Sequence, residues 1–176
     1  FPPGMALGAK HNTELAYLQG KAIAEEARAI RVHQSYAPVA DVNVNPSNPV
    51  INVRSFGANA DAVGAMTSAM VRGLQDGGVI ATAKHFPGHG DTSIDSHFGL
   101  PIISHDEAHL EEIELRPFRE AIDANISAIM TAHVLFPAYE PASDLPATLS
   151  SNVLEGLLRE KMGFKGLIVT DSLGMG

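Results

Sequence analysis

The chain has 176 residues, 45% hydrophobic and 18% charged, a globular composition with enough length to bury roughly two thirds of its unfolded surface. Twelve Lys plus Arg stand against 20 Asp plus Glu, a formal charge of -8, so there is no basic surplus to neutralise phosphates and neither nucleic acid nor an anionic membrane is expected as a partner. Cysteine is absent, which excludes disulfide scaffolds, thiol nucleophiles and thiolate metal sites.

In chain order, Leu15, Leu18, Ala22, Ile23, Ala27 and Ile30 recur at helical spacing and predict a helix over 13–31. Residues 36–44 (YAPVADVNV) read as a short buried strand, and Asn45-Pro-Ser-Asn-Pro49 as a loop, because two prolines lack amide donors. A second helix is predicted over 61–75, closed by Gly77-Gly78, then a strand over 79–83 and a long polar loop over 84–101. Ser104 with Glu107 three residues on is a capping-box pattern, which predicts one helix running to about Ala124. A third strand is expected over 126–132. Asn152 with Glu155 opens a last predicted helix to Met162, and 167–170 (LIVT) is the fourth strand. The longest uncharged run, 124–139, is broken by Asn125, His133 and Pro137 and is too short and polar to span a bilayer.

Strand starts near 36, 79, 126 and 167 repeat at about 40–47 residues, each strand feeding a loop and a helix. Apolar strands alternating with helices imply a parallel sheet covered by helices, either an open doubly wound sheet or part of a (β/α)8 barrel. Both fold types gather function at the C-terminal ends of the strands. That is where the unusual polar residues fall. Asp41, Asn43 and Arg54 follow the first strand, Lys84, His85, His89, Asp91, Asp95 and His97 the second, His133 the third and Asp171 the fourth.

His85, His89, His97, His105 and His109 crowd one stretch of the chain. Four-residue spacing of His85 and His89 would suit a metal on a helix, but Pro87-Gly88 prevents that helix, so no metal ligand is assigned. His105 and His109 are expected on the solvated face of the capped helix. Lys84, ending a buried strand, needs an anion or hydroxyl oxygens to offset its desolvation. Arg54 could serve the same pocket or pair with Asp41. Asp95 lies two residues from His97, close enough for a carboxylate to fix an imidazole tautomer and make it a proton donor near neutral pH. Asp171 ends the apolar run LIVT and would be held rigidly at the rim, suited to a nucleophile or electrostatic stabiliser, or else to capping a following helix.

The stretch Lys84-His-Phe-Pro-Gly-His-Gly-Asp-Thr-Ser-Ile-Asp-Ser-His97 resembles the signature loop of family 3 glycoside hydrolases, in their β-N-acetylglucosaminidase branch. Residues 37–46 (APVADVNVNP), 53–57 (VRSFG), 129–133 (IMTAH) and 168–171 (IVTD) are similar to that family's motifs and follow its order. The resemblance implies an α/β fold of the (β/α)8 TIM-type barrel, with about four strands and four helices of it present here. It implies a retaining reaction through a glycosyl-Asp171 intermediate, with His97 and Asp95 as an acid–base dyad. It further implies that Arg54, Lys84 and His85 hold sugar hydroxyls, and Asp41 and His133 are expected to bind the substrate with them. The substrate is then a glycan or peptidoglycan fragment bearing N-acetylglucosamine, and no cofactor is required. A β-glucosidase and a non-catalytic sugar-binding remnant are the alternatives, and phosphorolysis a side activity, because a neutral imidazole repels phosphate less than a carboxylate does. Oligomeric state has no signal in the sequence. The family's Asp-Gln-Glu-Gly-Gly-like loop is missing. With the opening Phe1-Pro-Pro and the closing Gly176, this leads to the expectation of a segment, 1–176, cut from a larger catalytic barrel domain and poorly soluble by itself because its sheet edges are open.

Overall fold

A computed structural model describes residues 1–96, 99–142 and 144–175. Its elements are α1 (Gly4–Gly8), α2 (Thr13–Ala29), β1 (Gln34–Ser35), α3 (Ala60–Asp76), β2 (Ile80–Phe86), α4 (Glu107–Glu112), α5 (Arg116–Asp123), β3 (Ala128–Thr131), α6 (Asn152–Lys161) and β4 (Leu167–Val169). The strands form one four-stranded sheet in the order β1-β2-β3-β4, every pair parallel. A doubly wound sheet reverses its strand order at a switch point. Here each strand lies beside its predecessor without reversal, the progression of a (β/α) barrel, so the chain folds as an incomplete portion of a TIM-type barrel.

Helix α2 starts where Asn12 accepts hydrogen bonds from the Glu14 and Leu15 amides, at 3.0 and 3.4 Å. Its period is helical as predicted, but the face packed inward carries Ala16, Gly20 and Ala24, while Leu15, Leu18 and Ile30 are exposed. Close approach to α3 decides this. A Cβ on Gly20 would sit 2.7 Å from the Met70 carbonyl oxygen, and one on Gly73 would collide with the Tyr17 carbonyl. Bulky leucines have no room in that seam. Helix α3 packs in turn on α5 and β2, and Phe86 at the end of β2 meets Phe118 of α5 edge to face at 5.2 Å.

Four boundaries differ from expectation. The first predicted strand, 36–44, holds no regular strand; β1 is only Gln34–Ser35, just before it. Pro38 lacks an N–H, and from there the segment keeps a single bridge, Val39 to Lys84, with the Ala40 amide donating to the Lys84 carbonyl at 2.7 Å. The second strand runs longer, so Lys84, His85 and Phe86 belong to β2 and not to the loop; the Lys84–His85 and Phe86–Pro87 peptide bonds there are cis. The helix expected from Ser104 to Ala124 is two helices. Asp106, not Ser104, caps α4 through the His109 amide at 2.9 Å, and the chain restarts as α5 at Arg116 because Pro117 has no N–H to continue the first helix. His105 therefore precedes the helix instead of riding on its face.

The last helix is present but wide, with the Met162 amide bonding to Leu157 five residues back at 2.9 Å. Ser150, whose hydroxyl accepts the Val153 amide at 3.1 Å, opens it, while the Asn152 side chain donates to Glu140 at 3.1 Å. No helix among the described residues is long and apolar enough to cross a membrane.

Candidate active site

The site grows from the C-terminal ends of the strands. Asp41 follows β1 and is fully buried. Its Oδ1 accepts the backbone amides of His85 at 3.1 Å and His89 at 2.8 Å, and its Oδ2 lies 2.7 Å from His85 Nδ1. Burial pushes the Asp41 carboxyl up, but attraction to His85, the hydrogen bond from its ring and the charge of His89 outweigh this and hold it below the usual carboxylate range. Because a carboxylate only accepts, Nδ1 of His85 carries a proton. The Nε2 edge of that ring then faces the rim, 3.5 Å from an Arg54 guanidinium nitrogen and 3.8 Å from Asp171 Oδ2.

Arg54 reaches this point from a short 3-10 turn, Asn52–Arg54, whose geometry also brings its other terminal nitrogen to the Val50 carbonyl at 3.2 Å. The expected alternative partner, Asp41, is engaged by His85 and His89 instead. Lys84 sits between opposing influences. Burial and the neighbouring Arg54 charge lower its pKa, while Asp171 and Asp41 raise it. Asp171, whose side chain is 27% exposed, thus has the His85 ring at 3.8 Å and the Lys84 charge within its influence, with Arg54 on the same His85 edge. Its Oδ1 accepts the Ser172 amide at 2.8 Å, an acidic turn at the strand end. No helix follows within the described residues for it to cap.

His133 follows β3 and acts on the same turn. Its Nε2 is 3.0 Å from the Ser172 carbonyl oxygen, which can only accept, so Nε2 carries the proton and Nδ1 faces the Thr148 hydroxyl at 2.9 Å. His133 thus ties the chain next to Asp171 to the loop after β3.

The loop over 88–96 lies across Asp41. Gly90 is required there, since a Cβ would run into the Val42 carbonyl. His89 is buried, its pKa lowered by burial above all, and it bridges Thr92 at 2.8 Å and Ser96 at 3.0 Å. Asn48 clamps the same turn from the opposite side, donating to the His89 carbonyl at 2.8 Å and accepting the Ile51 amide at 2.8 Å. Asp95 lies on this loop, and its backbone carbonyl accepts the Gly99 amide at 3.2 Å. His97, the expected proton donor, lies outside the described residues, so the Asp95–His97 pair does too.

Asp41, Arg54, Lys84, His85, His133 and Asp171 are thus brought to one rim, as the strand-end pattern suggested. Of the framework of Asn48, Ser55, His89 and Thr92, only His89 was singled out from sequence, as a polar residue after the second strand. Asn48 carried a usable signal, an Asn between two turn prolines, which suits an Asx turn. Ser55 had none. Its hydroxyl donates to the Asp41 carbonyl at 2.6 Å and accepts the Gly57 amide at 3.1 Å.

A parallel β/α arc with a carboxylate, two basic side chains and imidazoles at its C-terminal rim has the layout of a (β/α)-barrel site, which sits at that face. Comparison with known proteins makes this specific. Residues 1–176 match the glycosyl hydrolase family 3 N-terminal domain, and the chain belongs to that family. A β-N-acetylglucosaminidase of family 3 from Paenibacillus sp. str. FPU-7 superposes with a TM-score of 0.96 at 55% identity, covering 98% of this chain and 32% of that one. Beta-hexosaminidase A of Pseudoalteromonas piscicida is 40% identical over 99% of this chain and 31% of its own length. A β-N-acetylglucosaminidase/β-glucosidase of Cellulomonas fimi is 35% identical over 97% of this chain and 32% of its own. The chain spans about a third of the length of these relatives.

Proposed function

We propose that the protein carrying this chain is a retaining glycoside hydrolase that removes terminal β-linked N-acetylglucosamine from glycan or peptidoglycan fragments, and that residues 1–176 are part of its catalytic barrel domain. The observation that carries the reading is the convergence of Asp171, the Asp41-paired His85, Arg54 and Lys84 on one rim, from the ends of β2 and β4 and the turn at Asn52–Arg54. A carboxylate faced by two cations suits attack on an electron-poor sugar carbon.

In the first step an Asp171 oxygen attacks the anomeric carbon. The bond to the leaving oxygen breaks, and His97 gives that oxygen its proton, with Asp95 stabilising the imidazolium. In the second step water attacks the same carbon, His97 takes a proton from the water, and the Asp171–sugar bond breaks. Arg54, Lys84 and His85 would hold hydroxyl groups of the sugar. His85 is suited to this because Asp41 occupies its Nδ1, leaving Nε2 to meet the substrate. Asp41 acts through His85, and His133 through the turn that carries Asp171; both are positioning residues.

Asp171→Ala is expected to lower release of an aryl alcohol from an aryl N-acetylglucosaminide by at least about 10³-fold. Turnover near that of the unsubstituted protein refutes the nucleophile. His97→Ala should harm substrates with poor leaving groups far more than activated aryl substrates, because only the former need protonation. The relative in Cellulomonas fimi bears a double name, which keeps β-glucosidase activity as a second reading. Comparing aryl glucoside with aryl N-acetylglucosaminide as substrates decides between them.

A further inference from the structure

Against the loop over 88–96, in contact with Gly88 and Asp91, a second cluster of ionisable groups is left over by the proposed chemistry. Glu114 is 1% exposed, and neither of its carboxylate oxygens has a hydrogen-bond partner among the described residues. It lies in the break between α4 and α5. Gly88 packs directly on it: a Cβ at position 88 would stand 2.7 and 2.8 Å from its side-chain carbons. His105 and His109 stack against each other at 3.9 Å between ring centroids, nearly parallel at 25°. His109 Nε2 lies 3.9 Å from a Glu114 oxygen and also has no hydrogen-bond partner among the described residues. One ligand atom from each of His105, His109 and Glu114 falls within 4.8 Å of the others. On the outer side, Asp91 Oδ2 is 2.6 Å from His105 Nε2.

A buried carboxyl with both oxygens unpaired costs free energy unless something supplies the missing partner. Two imidazoles and one carboxylate are the donor set favoured by zinc and neighbouring transition metals, whereas calcium and magnesium prefer all-oxygen sites. The carboxylate of Asp91 on His105 matches the outer arrangement that fixes the ring of a metal-bound histidine and makes it a better donor. Ligand atoms around a tetrahedral zinc stand about 3.3 Å apart, so these groups must close in by up to about 1.5 Å. His105 and His109, with side chains 38% and 41% exposed, have the freedom to do so from the solvent side.

We propose that His105, His109 and Glu114 form a binding site for a divalent transition-metal ion of the zinc type, with Asp91 orienting His105. The site is structural: it would brace the loop from Gly88 to Ser96 against the α4–α5 break, and with it the backbone that carries Asp91 and Asp95. It takes no part in the sugar chemistry, and it stands whether or not the glycosidase reading holds.

The test is titration of Zn²⁺ into the metal-depleted purified protein, followed by calorimetry and by melting temperature, with Co²⁺ substitution to read the visible absorption of a site containing nitrogen donors. One equivalent should bind and raise the melting temperature. Glu114→Gln and His109→Ala should each abolish stoichiometric binding, and Asp91→Asn should weaken it by about 10–100-fold. His109 is partly exposed, so its alanine variant provides the test even if substitution at Glu114 disturbs folding. Failure to bind one equivalent overturns the proposal, as does binding that His109→Ala leaves intact. Loss of binding in Asp171→Asn, with His109→Ala still binding, would move the ion to the candidate active site and equally overturn it.

Discussion

Two buried carboxylates flank the same loop and behave in opposite ways. Asp41 lies on the substrate side and accepts two backbone amides and an imidazole, and its pKa is held below the usual range in spite of burial. Glu114 is nearly as buried, and its own backbone N–H and the charge of His105 attract it without closing a hydrogen bond. Burial foremost, aided by the Asp91 and Asp41 charges and only partly opposed by that N–H and by His105, pushes it up to about 7. Burial alone therefore does not set the ionisation of a carboxyl in this fold; the donors placed around it do. The rim carboxylate is preorganised as an anion that fixes His85. The Glu114 carboxyl is left poised between its charged and neutral forms, an arrangement that invites a cation.

The largest effect that would break this contrast is loss of Asp41. Asp41→Ala leaves the His85 ring and the amides of His85 and His89 without their acceptor, and is expected to cost about 3–5 kcal/mol of stability by denaturant titration. A cost below about 1 kcal/mol would mean that Asp41 is dispensable to the loop.

Glu114 sharpens the comparison through pH. Its folded pKa is raised, so between its ordinary value of 4.5 and about 7 the folded state binds more protons than the unfolded one. Stability is then complete below the lower value and is lost as pH rises toward the upper one, by at most about 3 kcal/mol. Without metal, Glu114→Gln should match the unsubstituted protein near pH 4 and exceed it in stability at pH 8. The reverse order at pH 8 would show that the carboxylate has a donor there. Asp41, with its lowered pKa, has the opposite sign: its contribution is present above the unfolded carboxylate range and fades as acid protonates it.

A smaller effect concerns the third strand end. Thr148→Val removes the hydroxyl shared by His133 and the Ala132 carbonyl, and should cost about 1–2 kcal/mol. It should also lower kcat more than it raises KM, because it loosens the turn carrying Asp171 without touching a sugar contact. Unchanged kinetics would separate His133 from that turn.

Much of the architecture was legible in the chain itself. Apolar runs alternating with helical periods announced a parallel sheet, and ionisable residues at four strand ends marked one rim, because parallel strands put all their C-terminal loops on the same side. What stayed hidden depended on neighbours. Leu15 and Leu18 have the right period for a core face, yet Ala16, Gly20 and Ala24 take it, since the distance between α2 and α3 admits only small residues. Ser104 and Glu107 form a sound capping pattern, yet Asp106 caps the helix and Pro117 divides it.

Local pattern thus determined most element types and the parallel pairing of the strands, and it marked ionisable residues at the strand ends. Tertiary packing alone decided which of them meet. Asp41 and His85 are 44 positions apart and were read as separate rim residues, but the bridge between Val39 and Lys84 brings them to hydrogen-bond distance. His109 was expected on a solvated helix face and Glu114 was not singled out, and only the helix break against Gly88 buries that carboxyl beside two imidazoles. Periodicity is a property of a few consecutive residues. Pairing and ionisation depend on groups that the chain brings together across dozens of positions, and those follow from the packed sheet and helices.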